Sequence, residues 1–163
     1  MIWIVMGVSG CGKTSVGQAL AARLGVPFFD ADAFHPAANT AKMSQGLPLN
    51  DDDRAPWLAA MAAEMPGWDA TGGAVLACSA LKERYREVLA AGCPGRVRFV
   101  YLQGEFQTIY DRMQARADHF FPPTLLESQF AALEEPTDAL VVSIALPVER
   151  IVAEIVRHAG ACC

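Results

Sequence analysis

The residues Gly7-Val8-Ser9-Gly10-Cys11-Gly12-Lys13-Thr14 fill the pattern G-x-x-x-x-G-K-[ST] at every position. The chemistry available at that spacing is phosphate binding. Glycines let the backbone wrap closely and turn successive N–H groups toward phosphate oxygens. A helix opening directly afterwards adds the positive end of its dipole. Lys13 would reach the β- and γ-phosphates and the Thr14 hydroxyl would ligate Mg²⁺, so ATP and Mg²⁺ are the expected ligands. Gly7, Ser9, Gly10, Cys11, Gly12, Lys13, Thr14 and Ser15 are the candidate nucleotide contacts. Cys11 sits among loop amides, a setting that can lower a thiol pKa and favour oxidation. The plainer alternative is a small residue tolerated in a tight loop.

Binding a nucleotide is not yet a function, and a second constellation must decide it. No N-K-x-D sequence is present to read guanine, and no apolar run ends in the Asp-Glu pair that motor ATPases use. Asp30-Ala31-Asp32 does follow an apolar segment. Two carboxylates two residues apart can divide the work. One would face the metal and the other an acceptor hydroxyl, as base or positioning group. The competing reading is a pair of capping or solvated turn acids.

These residues need elements to hold them. Ile2 to Met6 is a short, partly β-branched apolar run that suits a buried parallel strand. Val16, Leu20 and Leu24 recur at helical spacing until Gly25 stops the helix. Val26 to Phe29 reads as a second strand. Trp57, Leu58, Met61 and Met65 predict a helix that closes at Pro66-Gly67, with the acids Asp51 to Asp53 and Pro56 at its start. Further strands are expected over 74–77, 97–102 and 139–144, and helices over 81–89, 106–113 and from Pro147 onward. Strands alternating with helices predict an α/β fold with a parallel sheet and helices on both faces. Ligands of such folds gather at the carboxyl ends of the strands, where each of these motifs falls.

The bulk properties agree. The 163 residues fit one domain, 1–163, and 53% hydrophobic residues can fill a core. A net charge of -5 argues against nucleic acid as partner. The start lacks a basic signal-peptide region, and ALVVSIALPV is too short to span a bilayer, so a cytoplasmic protein off the membrane is expected. Five cysteines without metal or disulfide spacing read as free thiols.

The segment FFDADAFHPAANTAKMSQGLPLNDDDRAPWL resembles the acceptor region of the gluconate kinases, small phosphate-loop kinases whose pattern is near D-G-D-x-L-H-P-x-x-N-x-x-K-M-x-x-G-x-P-L-x-D-x-D-R-x-P-W-L. CSALKERYRE at 78–87, RADHFF at 116–121 and LLESQFAALEEP at 125–136 match in the same order. The resemblance spans nearly the whole chain. It implies a five-stranded parallel sheet, a mobile lid, Mg²⁺, and phosphoryl transfer from ATP to the 6-hydroxyl of D-gluconate. It also allows a homodimer. Two departures stand out: Ala31 replaces the usual Gly and Phe34 the usual Leu. Ala31 would be strained if the turn required a positive φ, and Phe34 could narrow the acceptor pocket.

A sugar acid requires cations and hydrogen-bonding groups. Arg54 is a candidate carboxylate clamp, since guanidinium binds such groups bidentately. Lys82 and Arg86 lie one helical turn apart and face the acceptor by resemblance. His35, Lys42 and Gln129 belong to the matched motifs and complete the candidate substrate contacts with Asp32. Arg112 and Arg116, also one turn apart, are candidate lid arginines over the phosphates, Arg116 being preferred. With the resemblance, Lys13, Asp32 and Arg116 are the expected catalytic set, Asp32 positioning or deprotonating the acceptor hydroxyl, with Thr14 and, through water, Asp30 for the metal. Ordinary surface charge is the alternative for each base. Two other functions remain open: a different small-molecule kinase on this scaffold, such as one acting on shikimate, and a non-catalytic ATP-binding module.

Overall fold

The computed structural model describes residues 1–116 and 123–161. Five parallel strands form one sheet in the order β2-β3-β1-β4-β5, with β1 at Ile2–Met6, β2 at Phe28–Asp30, β3 at Ala74–Ala77, β4 at Val97–Gln103 and β5 at Leu140–Ser143. Seven α-helices follow or connect them among the described residues: α1 (Lys13–Leu24), α2 (Ala37–Ser44), α3 (Asp51–Ala70), α4 (Glu83–Gly92), α5 (Phe106–Gln114), α6 (Pro123–Ala132) and α7 (Val148–Ala161). One 3₁₀ turn, Ala31–Phe34, joins β2 to the segment before α2. The expected α/β class and all five strands are present. No helix of the described residues is long and apolar enough to cross a membrane.

The sheet divides the apolar side chains into two cores, because successive strand residues point to opposite faces. On one face Ile2, Ile4 and Met6 of β1 pack with Trp57, Met61 and Met65 of α3 and Leu89 of α4. On the other, Val5 packs with Val16 and Leu20 of α1, Ile109 of α5, Leu126 of α6 and Ile151 and Ile155 of α7. Helices therefore cover both faces, as expected.

Helix ends follow their local chemistry. Gly25 closes α1 in the left-handed conformation, φ 70°. Asn50 and Asp53 form a capping box at the start of α3, each side chain accepting from the other's backbone N–H. That gives the acids at 51–53 a structural role at the positive helix end. Some boundaries shift from expectation: β2 is Phe28–Asp30 rather than 26–29, α4 is Glu83–Gly92 rather than 81–89, and α3 runs through Pro66 to Ala70. Met65 and Trp68 are both buried, and their packing carries the helix past a residue that cannot donate to Ala62.

Gly92 lies where α4 meets α3. A Cβ there would stand 2.6 Å from the Ala62 carbonyl oxygen and 2.9 Å from its Cα. Backbone cannot swing away as a side chain can, so Gly92→Ala should destabilise the fold by about 1–3 kcal/mol. Urea unfolding of the variant against the parent measures this.

Candidate active site

The chain leaves β1 at Gly7 and folds back over the strand ends. Gly7, Gly10 and Gly12 have φ of 148°, 79° and 99°, values closed to most side chains. The Gly7 N–H donates to the Ser79 carbonyl at 3.3 Å, which ties the loop to the end of β3. Gly12 caps α1, and Lys13 and Thr14 open that helix. The Lys13 ammonium donates to the Val8 carbonyl at 2.9 Å, across the loop. The Ser9 N–H donates to Gln129 Oε1 at 2.7 Å, and Gln129 Nε2 donates to Ser9 Oγ at 2.8 Å. The loop is therefore clipped to α6 by two bonds to one carboxamide.

Across a cleft of about 820 Å³ lies the second half of the site. The Asp30 carboxylate accepts from the Asp32 N–H at 2.9 Å, capping the 3₁₀ turn and fixing both acids at the exit of β2. The Trp57 indole N–H donates to the Ala31 carbonyl at 2.7 Å. Its ring stacks on His35, with centroids 4.4 Å apart and planes 9° from parallel. Arg54 donates to the Tyr85 hydroxyl at 3.2 Å, and that hydroxyl in turn donates to Asp51.

Of the expected residues, Ser9, Gly10, Gly12, Lys13, Thr14, Ser15, Asp30, Asp32, His35, Arg54, Arg116 and Gln129 line this one cleft. The others do not. Gly7 lies beneath the loop as its turning point. Cys11 is buried, and burial pushes its thiol up from the usual value, against the opposing pull of Lys13. That is the reverse of an oxidation-prone loop thiol. Lys42 pairs with Asp53 at 2.6 Å and fastens α2 to α3. Lys82 faces Asp51 at 3.4 Å and lines a separate surface hollow with Arg84 and Glu134. Arg112 donates to the Ile144 carbonyl at 2.8 Å, holding α5 to the end of β5.

Arg86 needs the clearest correction. It is only 7% exposed, and its guanidinium donates to the carbonyls of Ala80, Leu81 and Glu134 at 2.8–3.1 Å. Ala80 has φ 45°, the one positive value for a non-glycine among the described residues. Arg86 thus braces the tight turn that carries Ser79 to the phosphate loop. Phe34 is also reassigned. It meets Trp68 edge to face at 6.0 Å and packs into the core, so it does not narrow the cleft. Ala31 sits in the 3₁₀ turn without positive φ and is unstrained. The stretch 117–122, with most of the RADHFF match and of the expected lid, lies outside the described residues, as do Cys162 and Cys163.

Sequence reasoning did not single out Met43, Leu47, Pro48 and Leu49, which line the cleft mouth, or Leu125 and Ser128 beside Gln129. All of them fall inside the matched motifs, which were the available signal. Trp57 enters the sequence reading only as part of a helix and of the matched motif, and its place on the cleft comes from the fold.

A family model described as shikimate kinase matches residues 9–139. The thermoresistant gluconokinase of Escherichia coli is 44% identical over 161 residues, 96% of this chain and 91% of that protein. The thermosensitive gluconokinase of the same organism is 49% identical over 135 residues, 82% of this chain and 72% of that protein. The chain belongs to the gluconokinase family. A solved gluconokinase from Sinorhizobium meliloti superposes with a TM-score of 0.85 at 44% identity, covering 93% of this chain and 87% of its own. The fold of the gluconokinases, a parallel sheet with the phosphate loop after β1, is the fold described above.

Two variants separate support from contact. Arg86→Ala should cost about 2–4 kcal/mol of stability, since three carbonyls lose a charged donor, as read by urea unfolding. Gln129→Ala should leave the fold intact and raise the KM for ATP roughly tenfold, by releasing the loop from α6. Steady-state kinetics with ATP varied would check it.

Proposed function

We propose that this chain transfers the γ-phosphoryl group of ATP to the 6-hydroxyl of D-gluconate, giving 6-phosphogluconate and ADP. The observation that carries the reading is the convergence of two half-sites on one cleft. Lys13 and Thr14 stand at the mouth of α1, and Asp32, His35 and Arg54 line the same space. The relatives named gluconokinases support the choice of acceptor.

The residues divide the work as follows. Backbone N–H groups of Gly10 to Lys13 face the phosphates, and Lys13 exchanges the Val8 carbonyl for phosphate oxygens. Arg54 meets the acceptor carboxylate, held in place by Tyr85. Asp32 accepts the proton of the acceptor hydroxyl as its oxygen bonds to the γ-phosphorus and the bond to the β–γ bridging oxygen breaks. Arg116, at the cleft edge, is the cation for charge developing on the transferred group. Thr14 and Asp30 offer hard oxygen donors, the type that suits Mg²⁺, which would neutralise phosphate charge there. Few protein ligands are needed for such an ion, because phosphate and water supply the rest. A cytoplasmic location, action as one domain and assembly as a homodimer belong to the same proposal.

ADP formation from Mg-ATP with gluconate, shikimate, glycerate, hexoses and no acceptor tests the reading. Turnover with gluconate alone is expected; turnover with another acceptor and none with gluconate overturns the assignment. Asp32→Asn should lower kcat by about 10²–10⁴-fold with little change in ATP affinity. Near-normal kcat in that variant removes Asp32 from the chemistry.

A further inference from the structure

Asn39 is one of two buried polar or charged side chains among the described residues, at 3% exposure. Its carboxamide nitrogen donates to the Asp53 carbonyl at 2.8 Å, and the same nitrogen lies 3.3 Å from His35 Nδ1. A backbone carbonyl can only accept, so the atom facing it must be the NH₂ group and the amide has one orientation. Its second hydrogen then points at His35 Nδ1. That ring nitrogen must accept, which leaves the proton of a neutral imidazole on Nε2.

Three further contacts hold this arrangement. The imidazole is stacked flat on Trp57, whose indole is itself bonded to the Ala31 carbonyl. Asn39 and Lys42 both fasten α2 to Asp53 of α3. Nε2 has no hydrogen-bond partner among the described residues, and His35 lines the cleft beside Asp32 and Arg54. Burial holds the imidazole below its ordinary pKa; Asp32 opposes this and Arg54 adds to it. The neutral ring therefore prevails at neutral pH.

We infer that His35 is a locked hydrogen-bond donor, presenting Nε2–H to a hydroxyl or carboxylate oxygen of the acceptor, with Asn39 the residue that sets its tautomer. The inference rests on the proposed sugar-acid acceptor and gives His35 a role distinct from Asp32. A donor of this kind selects a polyol oxygen and takes no proton from it. Asn39, which reaches no substrate, acts as a positioning residue.

A long-range ¹H–¹⁵N spectrum of the labelled protein reads the tautomer directly. The His35 signals, among three histidines, are identified by their loss in His35→Gln. The expected result is an Nε2–H tautomer at neutral pH, with ring signals that shift in a saturable way on adding gluconate. An imidazolium or an Nδ1–H tautomer overturns the lock. Ring signals unmoved by gluconate that is still phosphorylated overturn the contact. If gluconate is not phosphorylated at all, the acceptor assignment falls, while the spectrum still decides the Asn39 lock. Kinetics provide a second, separate reading. His35→Ala should raise the gluconate KM about tenfold, whereas His35→Gln, which keeps an N–H donor, should stay within about threefold of the parent. Equal loss of kcat in both variants would make His35 a base and overturn the inference.

Discussion

The turn at Gly7 is the constraint on which the rest of the molecule depends. The chain must leave the central strand and return over its own end within a few residues. A Cβ at Gly7 would stand 2.7 Å from the Cys11 sulfur and 3.1 Å from the Leu102 carbonyl oxygen. No side chain fits there, and the φ of 148° independently favours glycine. Everything about the nucleotide half follows from that closeness. Cys11 is buried because it fills the space under the turn, Gly12 can start α1, and Lys13 lies near enough to Val8 to bridge the loop. The sheet order places β1 between β3 and β4, so the loop rests on the ends of two neighbouring strands.

The acceptor half is organised around Trp57. Its indole nitrogen holds the 3₁₀ turn that carries Asp32, and its ring face supports His35. Behind it, Asp53 takes bonds from Asn39 and Lys42, which tie α2 to the start of α3, and from the capping residue Asn50. Lys42, first of these partners, holds the Asp53 carboxyl below the usual carboxylate range. Tyr85, drawn from α4, sits between Arg54 and Asp51 with three cationic side chains 5.6–5.8 Å from its ring centre. The acids read as a helix start thus also anchor Lys42, Lys82 and Arg84, bases that do not line the cleft.

Much of this was legible in the amino-acid order. The phosphate loop, the paired aspartates and every strand could be read because glycine placement, apolar runs and strand-end position each carry a physical requirement. Less was legible where spacing alone had to decide. Lys82, Arg86 and Arg112 follow strands or line helices at the right spacing, but spacing does not say whether a base meets substrate, an acid or a backbone carbonyl. Arg86 is the sharpest case, since its partners Ala80 and Glu134 are joined only by folding. Phe34 looked like a pocket wall because it neighbours His35 in sequence, and the 3₁₀ turn sends the two rings in different directions. The last turn of α3 is hidden in the sequence because Pro66 is a local signal and the burial of Met65 and Trp68 is not.

The two cores have a consequence for how such a molecule can change over generations. Trp57 and Ala31, under the acceptor, belong to the core on one face of the sheet, while Val8, Cys11 and Val16, under the nucleotide, belong to the other. Substitutions that repack one face reach the other through the strands between them and through Leu133, which packs against both. Acceptor preference can therefore drift by remodelling around α2 and α3 while the machinery for the shared phosphoryl donor is inherited untouched.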